Sequence, residues 1–383
     1  MKQKNRLISY DYYILAAFAV LVMIGMYFQL DISSIRSNMG FFYRQSFWLV
    51  LSIAFLVLAY KIDLDKVRKL IPLLLFLTVV SLVLVLIFGK EVKGAKRFLA
   101  ITIPFIRMTV NFQPSLMARI VLIFYFAHFL DKNEKFIPLS KLTYFFKKFN
   151  ALIVVPGIIL ILILFERHFS PLVISVTTLL SLLFLAKIRM STILTFSAIF
   201  ILIGMGIVIL GPKYRAKRMM IYKEYSLFMK SDGTESSLSG DDGYQIKQSL
   251  ISLESGGLFG TGVEKGTGKH YFLPEAKTDY VFSIIGEEWG FIGALIVLSL
   301  FVFLFVRTMI SSYHQDSLFL MLSGMGLGMN IFYNAMVNIG VAISALPSTG
   351  VTLPFISYGG TSLLINSITI GLILNISSRR RGI

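Results

Sequence analysis

Asp279 is the residue in this sequence best placed to act as a general base. It follows six closely spaced glycines, at 256, 257, 260, 262, 266 and 268, and a dense polar run of Lys269, Glu275, Lys277 and Thr278. An apolar run of membrane-spanning length begins directly after it. Glycines permit positive φ and close approach of the backbone to a ligand. A carboxylate at a membrane boundary tends to face a cavity, not lipid. Partial burial would make it a better base, and a neighbouring Lys269 or Lys277 would oppose that. A helix running through this point would put Ser283 and Glu287, four and eight residues on, on the same face as Asp279. The plainer reading of an acidic residue at a helix start is an N-cap or a dipole partner, and both readings stand at this level. The glycines are not a dinucleotide fingerprint, because no strand precedes them and no βαβ unit follows. A second polar cluster holds Lys90, Lys93, Lys96, Arg97 and Arg107. It is either ordinary surface charge or a site for an anionic group.

The elements that position these groups follow from composition. The chain has 383 residues, of which 56% are hydrophobic and 15% charged, with mean hydropathy +0.77. A soluble domain carries about 25% charge. The apolar residues come in runs at 11–30, 45–60, 70–89, 113–130, 150–165, 170–187, 191–211, 281–308, 317–343 and 354–376, and a spanning helix needs about 20 such residues. The sequence therefore predicts an all-α polytopic membrane protein, a single membrane domain over 1–383. It has about ten transmembrane helices and one large extracytoplasmic loop, about 212–280, between helices 7 and 8. Lysine and arginine number eighteen in the segments on the side of the termini and eight in the opposite short loops. Both termini are thus expected in the cytoplasm, with the long loop outside. The first run lacks a small-x-small cleavage site and reads as an uncleaved span. In the long loop, KYRAKR is basic, SDGTESSLSGDDG is polar, and GYQIKQSLISLESGGLFGTG reads as a short amphipathic helix ending in glycines. No soluble domain is expected there. Pro114 suits the first turn of span four. The pairs Gly286/Gly290 and Gly324/Gly328 read as helix contacts. Pro354 reads either as a helix start or as a cavity lining.

Several function classes are excluded. The absence of cysteine removes disulfides and thiolate chemistry. The four histidines are scattered, which argues against a zinc enzyme. The net charge of +17 sits beside the apolar runs, where it serves anionic headgroups and orientation, so nucleic acid is not an expected partner.

LPEAKTDYVFSIIGEEWGFIG closely resembles the LPEAHTDF…GEExGFxG signature of the SEDS family, which comprises FtsW, RodA and SpoVE. PSTGVTLPFISYGGTSLL resembles the family's P-x-x-G-x-x-LPFxSYGGSS, and NIFYNAMVNIG its Q-x-x-x-N-x-x-x-N-x-G run. GAKRF at 94–98, FQPSLMAR at 112–119, YRAKR at 214–218 and the pair Arg44–Gln45 match further family motifs, in order, over almost the whole chain. The chain departs from the pattern at Leu116, Arg119, His168, Lys277 and Asn330. In the family, Leu116 is a glutamate and His168 an aspartate.

The resemblance implies a lipid II polymerase on the outer face of the cytoplasmic membrane. A GlcNAc 4-hydroxyl would attack C1 of MurNAc, and undecaprenyl diphosphate would leave in one inverting displacement. Such chemistry needs a base, cations or helix N-termini for the diphosphate, and a groove open to lipid. On this reading Asp279 is the base and Lys96, Arg97, Arg215 and Arg218 meet the diphosphate. Lys269 after the glycines, and Glu275, Lys277, Thr278, Ser357, Gly359 and Gly360 of the two longest motifs, bind substrate. The implied partners are a class B penicillin-binding protein, other divisome or elongasome membrane proteins, and membrane lipids. No soluble cofactor is signalled. A divalent cation bridging the diphosphate is compatible with this chemistry, but no ligand cluster demands one. Two other readings stay open. A lipid II flippase would place charges or broken helices near the bilayer midplane, where Arg119 is the main candidate. A scaffold without activity is kept open by Leu116 and His168. Thr352 before Leu353–Phe355 is FtsW-like, where RodA-like sequences tend to have proline.

Overall fold

The computed structural model describes residues 10–35, 39–92, 95–103, 108–139, 141–167, 169–209, 213–226, 241–262, 265–266, 268, 273 and 275–379. The expected polar stretch at 231–240 and Lys269 lie outside the described residues. So do Lys93, Arg107 and His168.

Nearly every apolar run becomes a helix within a few residues of its expected bounds. These are α1 (Tyr12–Ile35), α2 (Gly40–Lys61), α3 (Leu64–Phe88), α4 (Pro114–Lys132), α6 (Ala151–Phe165), α7 (Phe169–Leu185), α8 (Met190–Ile209), α11 (Val281–Tyr313), α12 (Leu318–Ala342) and α13 (Gly360–Ser378). Eight are long and apolar enough to cross a membrane, and α6 and α7 are apolar but shorter. Three more helices connect them: α5 (Leu142–Lys148), α9 (Lys213–Tyr225) and α10 (Asp241–Gly256).

Burial sorts the spans. In α4, α12 and α13 the most apolar window is 72% buried, against 22% in α2 and α3 and 11% in α8. The first three form the centre of the bundle, and the others present broad apolar faces outward, as lipid-facing helices do. α12 packs against α4, α7 and α11, while α13 lies along α2. Gly324 and Gly328 of α12 would drive a Cβ into Ser312 and Thr308 of α11. They let the two backbones approach closely, as expected for small-residue contacts.

Two features depart from the sequence reading. The segment between α3 and α4 is not a plain loop. It forms a three-stranded antiparallel sheet, β1 (Lys90–Val92), β2 (Ala95–Ile103) and β3 (Met108–Phe112), with Leu99 opposite Phe112 and Ala100 opposite Asn111. The β-branched and aromatic residues of FLAITI and MTVNF favour strand. The second departure is in α11, which breaks at Gly290 (φ 67°, ψ −167°). Of the two expected helix contacts here, Gly286 makes one, to α10, and Gly290 does not. A Cβ at Gly286 would strike Leu253 of α10, and one at Gly290 would strike Gly260 and Leu258. The turn after α10 docks into the break. Thr261 and Gly262 amides donate to the Glu287 and Glu288 carbonyls (2.9 and 3.2 Å), and Phe291 and Ile292 amides donate to Gly257 and Leu258 (2.9 and 3.2 Å). The break frees backbone groups, and the turn satisfies them. The close approach that the glycines permit is thus to another backbone: a Cβ at Gly260 (φ 84°) would overlap the Glu288 carbonyl.

Candidate active site

One carbonyl builds the turn that carries Asp279. Glu275 adopts a left-handed conformation (φ 55°), unusual for a residue with a Cβ and worth about 1–3 kcal/mol of strain. In this conformation its carbonyl accepts from the amides of Thr278, Asp279 and Tyr280 at 3.0, 3.1 and 3.4 Å. The Thr278 hydroxyl donates to the Glu275 carboxylate at 2.9 Å. α11 begins only at Val281, so Asp279 precedes the helix and does not share a face with Ser283 and Glu287. Both of those side chains are buried elsewhere. Ser283 pairs with Ser249 of α10 at 2.6 Å. Glu287 accepts the Gly268 amide on both oxygens, each at 3.1 Å. Glu287 holds the glycine loop.

The surrounding spans grip this turn through buried amides. Asn338 of α12 donates to the Asp279 carbonyl at 2.8 Å and to the Val351 carbonyl at 2.6 Å. Asn334, one turn earlier, donates to Thr352 at 3.0 Å and accepts from Arg119 of α4 at 3.1 Å. Gln29 of α1 donates to the carbonyls of Lys277 and Ile356 at 3.1 and 3.3 Å. Gln45 of α2 accepts from Gly359 at 3.3 Å. Ser357 donates to the Thr278 carbonyl and accepts from the Leu353 amide at 2.8 Å. The segment 343–359 is therefore a clamp laid over the 275–280 turn. Pro354 lies inside it, and α13 starts later, at Gly360. Gly360 is glycine because a Cβ would overlap the Trp48 indole.

The cationic side of the site comes from β2 and α9. A Cβ built on Gly350 would lie 2.8 Å from Nη1 of Arg97 and 3.6 Å from Oδ2 of Asp279. Guanidinium and carboxylate thus converge on one point, across the only residue type that leaves it open. Burial pulls Arg97 below its ordinary pKa. Asp279 raises it, Arg218 lowers it, and Glu275 and Glu166 raise it. Arg218 reaches in from α9 toward the Ser348 carbonyl at 3.5 Å. Lys96, the next residue on the strand, is exposed and sits opposite Glu91. Alternation along β2 sends it away from Arg97, so the structure does not bring it into the cluster. The Arg215 side chain lies outside what is described. Lys277 places its ammonium 3.3 Å from the Phe41 ring centroid and 5.5 Å from that of Tyr358, a cation–π seat that anchors the turn.

The sequence reading gave no individual role to Gln29, Asn334, Asn338, Gly350 and Glu166, although Asn334, Asn338 and Gly350 lie within motifs it quoted. Their signal was present as single polar or small residues within apolar runs or at span ends, positions where a polar group must find a partner.

These features define a polytopic membrane protein whose polar site lies at one end of its bundle, beneath a clamp of buried amides. The chain matches the family described as Cell cycle protein, FtsW/RodA/SpoVE, over residues 5–382, and it belongs to that family. It is 34% identical to a probable peptidoglycan glycosyltransferase FtsW of Enterococcus hirae, over 98% of this chain and 94% of that one. It is 30% identical to another so named from Geobacter sp. (strain M18), over 99% of both. Its fold is similar to the rod shape determining protein RodA of Thermus thermophilus, with TM-score 0.68 and 23% identity over 98% of this chain and 99% of that one. A chain from a peptidoglycan synthase complex matches with TM-score 0.77 and 23% identity, over 97% and 99%.

Proposed function

We propose that this chain is a peptidoglycan glycosyltransferase that polymerises lipid II at the outer face of the cytoplasmic membrane. The observation that carries the reading is the convergence of Asp279 and Arg97 on the space beside Gly350. Full-length relatives at 30–34% identity are named as probable enzymes of this kind. Asp279 takes the proton of the acceptor GlcNAc 4-hydroxyl as its oxygen attacks C1 of MurNAc. The bond from C1 to the phosphate oxygen breaks, and undecaprenyl diphosphate leaves with the electron pair. Arg97, joined by Arg218, meets the charge that develops on the diphosphate, where a fixed guanidinium acts most strongly.

The lysine and arginine asymmetry supports cytoplasmic termini and an outward-facing site. A structural neighbour from a complex that coordinates polymerization and crosslinking supports a crosslinking partner of the class B penicillin-binding type. Thr352 and the FtsW naming of the relatives favour a role in division. The flippase alternative rests on Arg119, buried in α4 with Asn334 as its hydrogen-bond partner. The testing experiment is a gel assay of glycan length with labelled lipid II, the purified chain and its transpeptidase. Polymer made by the pair supports the enzyme reading. Movement of lipid II across vesicles without polymer would replace it with the flippase.

A further inference from the structure

The turn after α10 carries two large apolar side chains that the described residues leave uncovered. Leu258 is 63% exposed and Phe259 is 80% exposed. They stand between glycines, in GGLFGTG. A contiguous exposed apolar patch marks a surface that something else covers.

The turn is fixed in place. The Phe291 and Ile292 amides donate to the Gly257 and Leu258 carbonyls at 2.9 and 3.2 Å, and the Gly260 amide donates to Gly256 at 2.7 Å. The Thr261 and Gly262 amides bind the other side of the break. Irregular backbone enters an apolar layer only where its polar groups are paired, and these groups are paired. The same bonds set Leu258 and Phe259 beside Phe291 and Ile292, both exposed. From there the outward face of α11 continues through Leu295, Val302 and Val306. The patch is thus one end of a lipid-facing helix surface.

Depth follows from α11. Toward its far end, Arg307 pairs with Asp11 at 2.7 Å, and its guanidinium carbon lies 4.7 Å from the Tyr13 ring centroid. Tyr12 and Tyr13 are exposed there, and exposed tyrosines beside a cation mark a bilayer interface. From Arg307 back to Phe291 the helix rises about 24 Å, at about 1.5 Å per residue. That is less than the hydrocarbon layer of about 30 Å. Phe291, with the turn bonded to it, therefore falls inside that layer. Exposed charge resumes at Glu254 and Lys265, so the turn enters only its outer edge.

We propose that Leu258 and Phe259 form a re-entrant wedge whose partner is lipid: the two side chains sit among the acyl chains of the leaflet nearest the Asp279 turn. The wedge is bonded across Gly290 to the helix that starts just after Asp279, so it fixes the height of that turn over the membrane. It does not depend on the polymerase reading, because burial, main-chain bonds and helix length define it.

The test exploits the absence of cysteine. Phe259→Cys and, separately, Leu258→Cys carry a nitroxide spin label in the full chain, reconstituted in vesicles of phosphatidylcholine and phosphatidylglycerol. Leu295→Cys on α11 is the lipid reference, and Tyr244→Cys on α10 is the aqueous one; both positions are exposed. Power saturation reads collisions with oxygen, which partitions into acyl chains, and with a water-soluble nickel chelate present on both faces. Labels at 258 and 259 should lose relaxation by the chelate and keep relaxation by oxygen, as at 295. Relaxation by the chelate at both positions to the level of Tyr244→Cys overturns the proposal. Dipolar broadening between labels at 259 also overturns it and assigns the surface to a second copy. Chelate access that is removed only by adding the transpeptidase overturns it in favour of that partner. Two labelled positions guard against local distortion by either one. A chain that behaves as expected here and makes no polymer from lipid II counts against the polymerase reading alone.

Discussion

One amide of Asn338, deep in the bundle, holds the main-chain carbonyl of Asp279 at 2.8 Å and that of Val351 at 2.6 Å. The same nitrogen thereby sets the distance between the turn that carries the carboxylate and the clamp that carries Gly350. The position of Asp279 is inherited from α12 as much as from its own loop. Removing this amide leaves one buried and one part-buried carbonyl without that donor, at about 1–3 kcal/mol for the buried one. Asn338→Ala should lower kcat for polymerisation at least tenfold and lower the melting midpoint in detergent. Asn338→Asp, which keeps the shape and loses the donor, should behave alike. Wild-type kcat in both variants would show that the bridge does not position Asp279.

Gly350 gives a sharper test of the convergence. Its backbone is not left-handed, so alanine carries no conformational strain there. The added Cβ crowds the flexible end of Arg97, at 2.8 Å, and lies at an ordinary contact distance, 3.6 Å, from Oδ2 of Asp279. Gly350→Ala should melt like wild type and raise KM for lipid II about tenfold, as one displaced phosphate contact would. Arg97→Lys should be impaired as well, because an ammonium does not reproduce the guanidinium's paired donors. An unchanged KM in both variants would remove Arg97 from the diphosphate site.

The break in α11 predicts a contrast between two glycines. Gly290→Ala forces a Cβ into Gly260 and Leu258 at a positive φ, and should destabilise by about 3 kcal/mol or more. Gly157, inside α6 with nothing within 4 Å of its Cβ position, should accept alanine with no loss and a gain of up to about 1 kcal/mol. Thermal melts in detergent compare them directly.

The apolar runs foretold the spans because a helix in lipid must satisfy its own backbone, which ties length and hydropathy to structure. α1, α7 and α12 fall within a few residues of their expected bounds for that reason. The sheet over 90–112 was not legible as such, since two of its strands are short and the charges of Lys96 and Arg97 made the segment read as a polar loop. The break at Gly290 was hidden inside an apolar run that reads as one helix, and only the docked turn at 257–262 explains it. Asp279 and Arg97 were legible singly, from residue type and position. Their meeting beside Gly350 was not, because it is made by three segments far apart in the chain. Glu287, which helix spacing placed on the face of Asp279, is instead engaged by Gly268, a contact that spacing along a helix cannot reveal.

Orientation is open to a direct check, since the chain has no cysteine. Tyr244→Cys on α10 and Lys66→Cys on α3 both sit at exposed positions. An impermeant thiol reagent added to intact spheroplasts should label the first and not the second. The reverse pattern would invert the topology and put the site on the cytoplasmic face.

The most direct measurement is polymerisation of labelled lipid II by Asp279→Asn, run beside a binding assay for the transpeptidase partner. Asparagine keeps the size of the side chain and its neighbours, and removes the ability to accept a proton at neutral pH. The account predicts a variant that inserts, binds its partner and makes no glycan polymer. Asp279→Glu should retain at most a trace, because displacing the oxygen by about an ångström costs on the order of a hundredfold. Polymer from Asp279→Asn at the wild-type rate would contradict the assignment of Asp279 as the base.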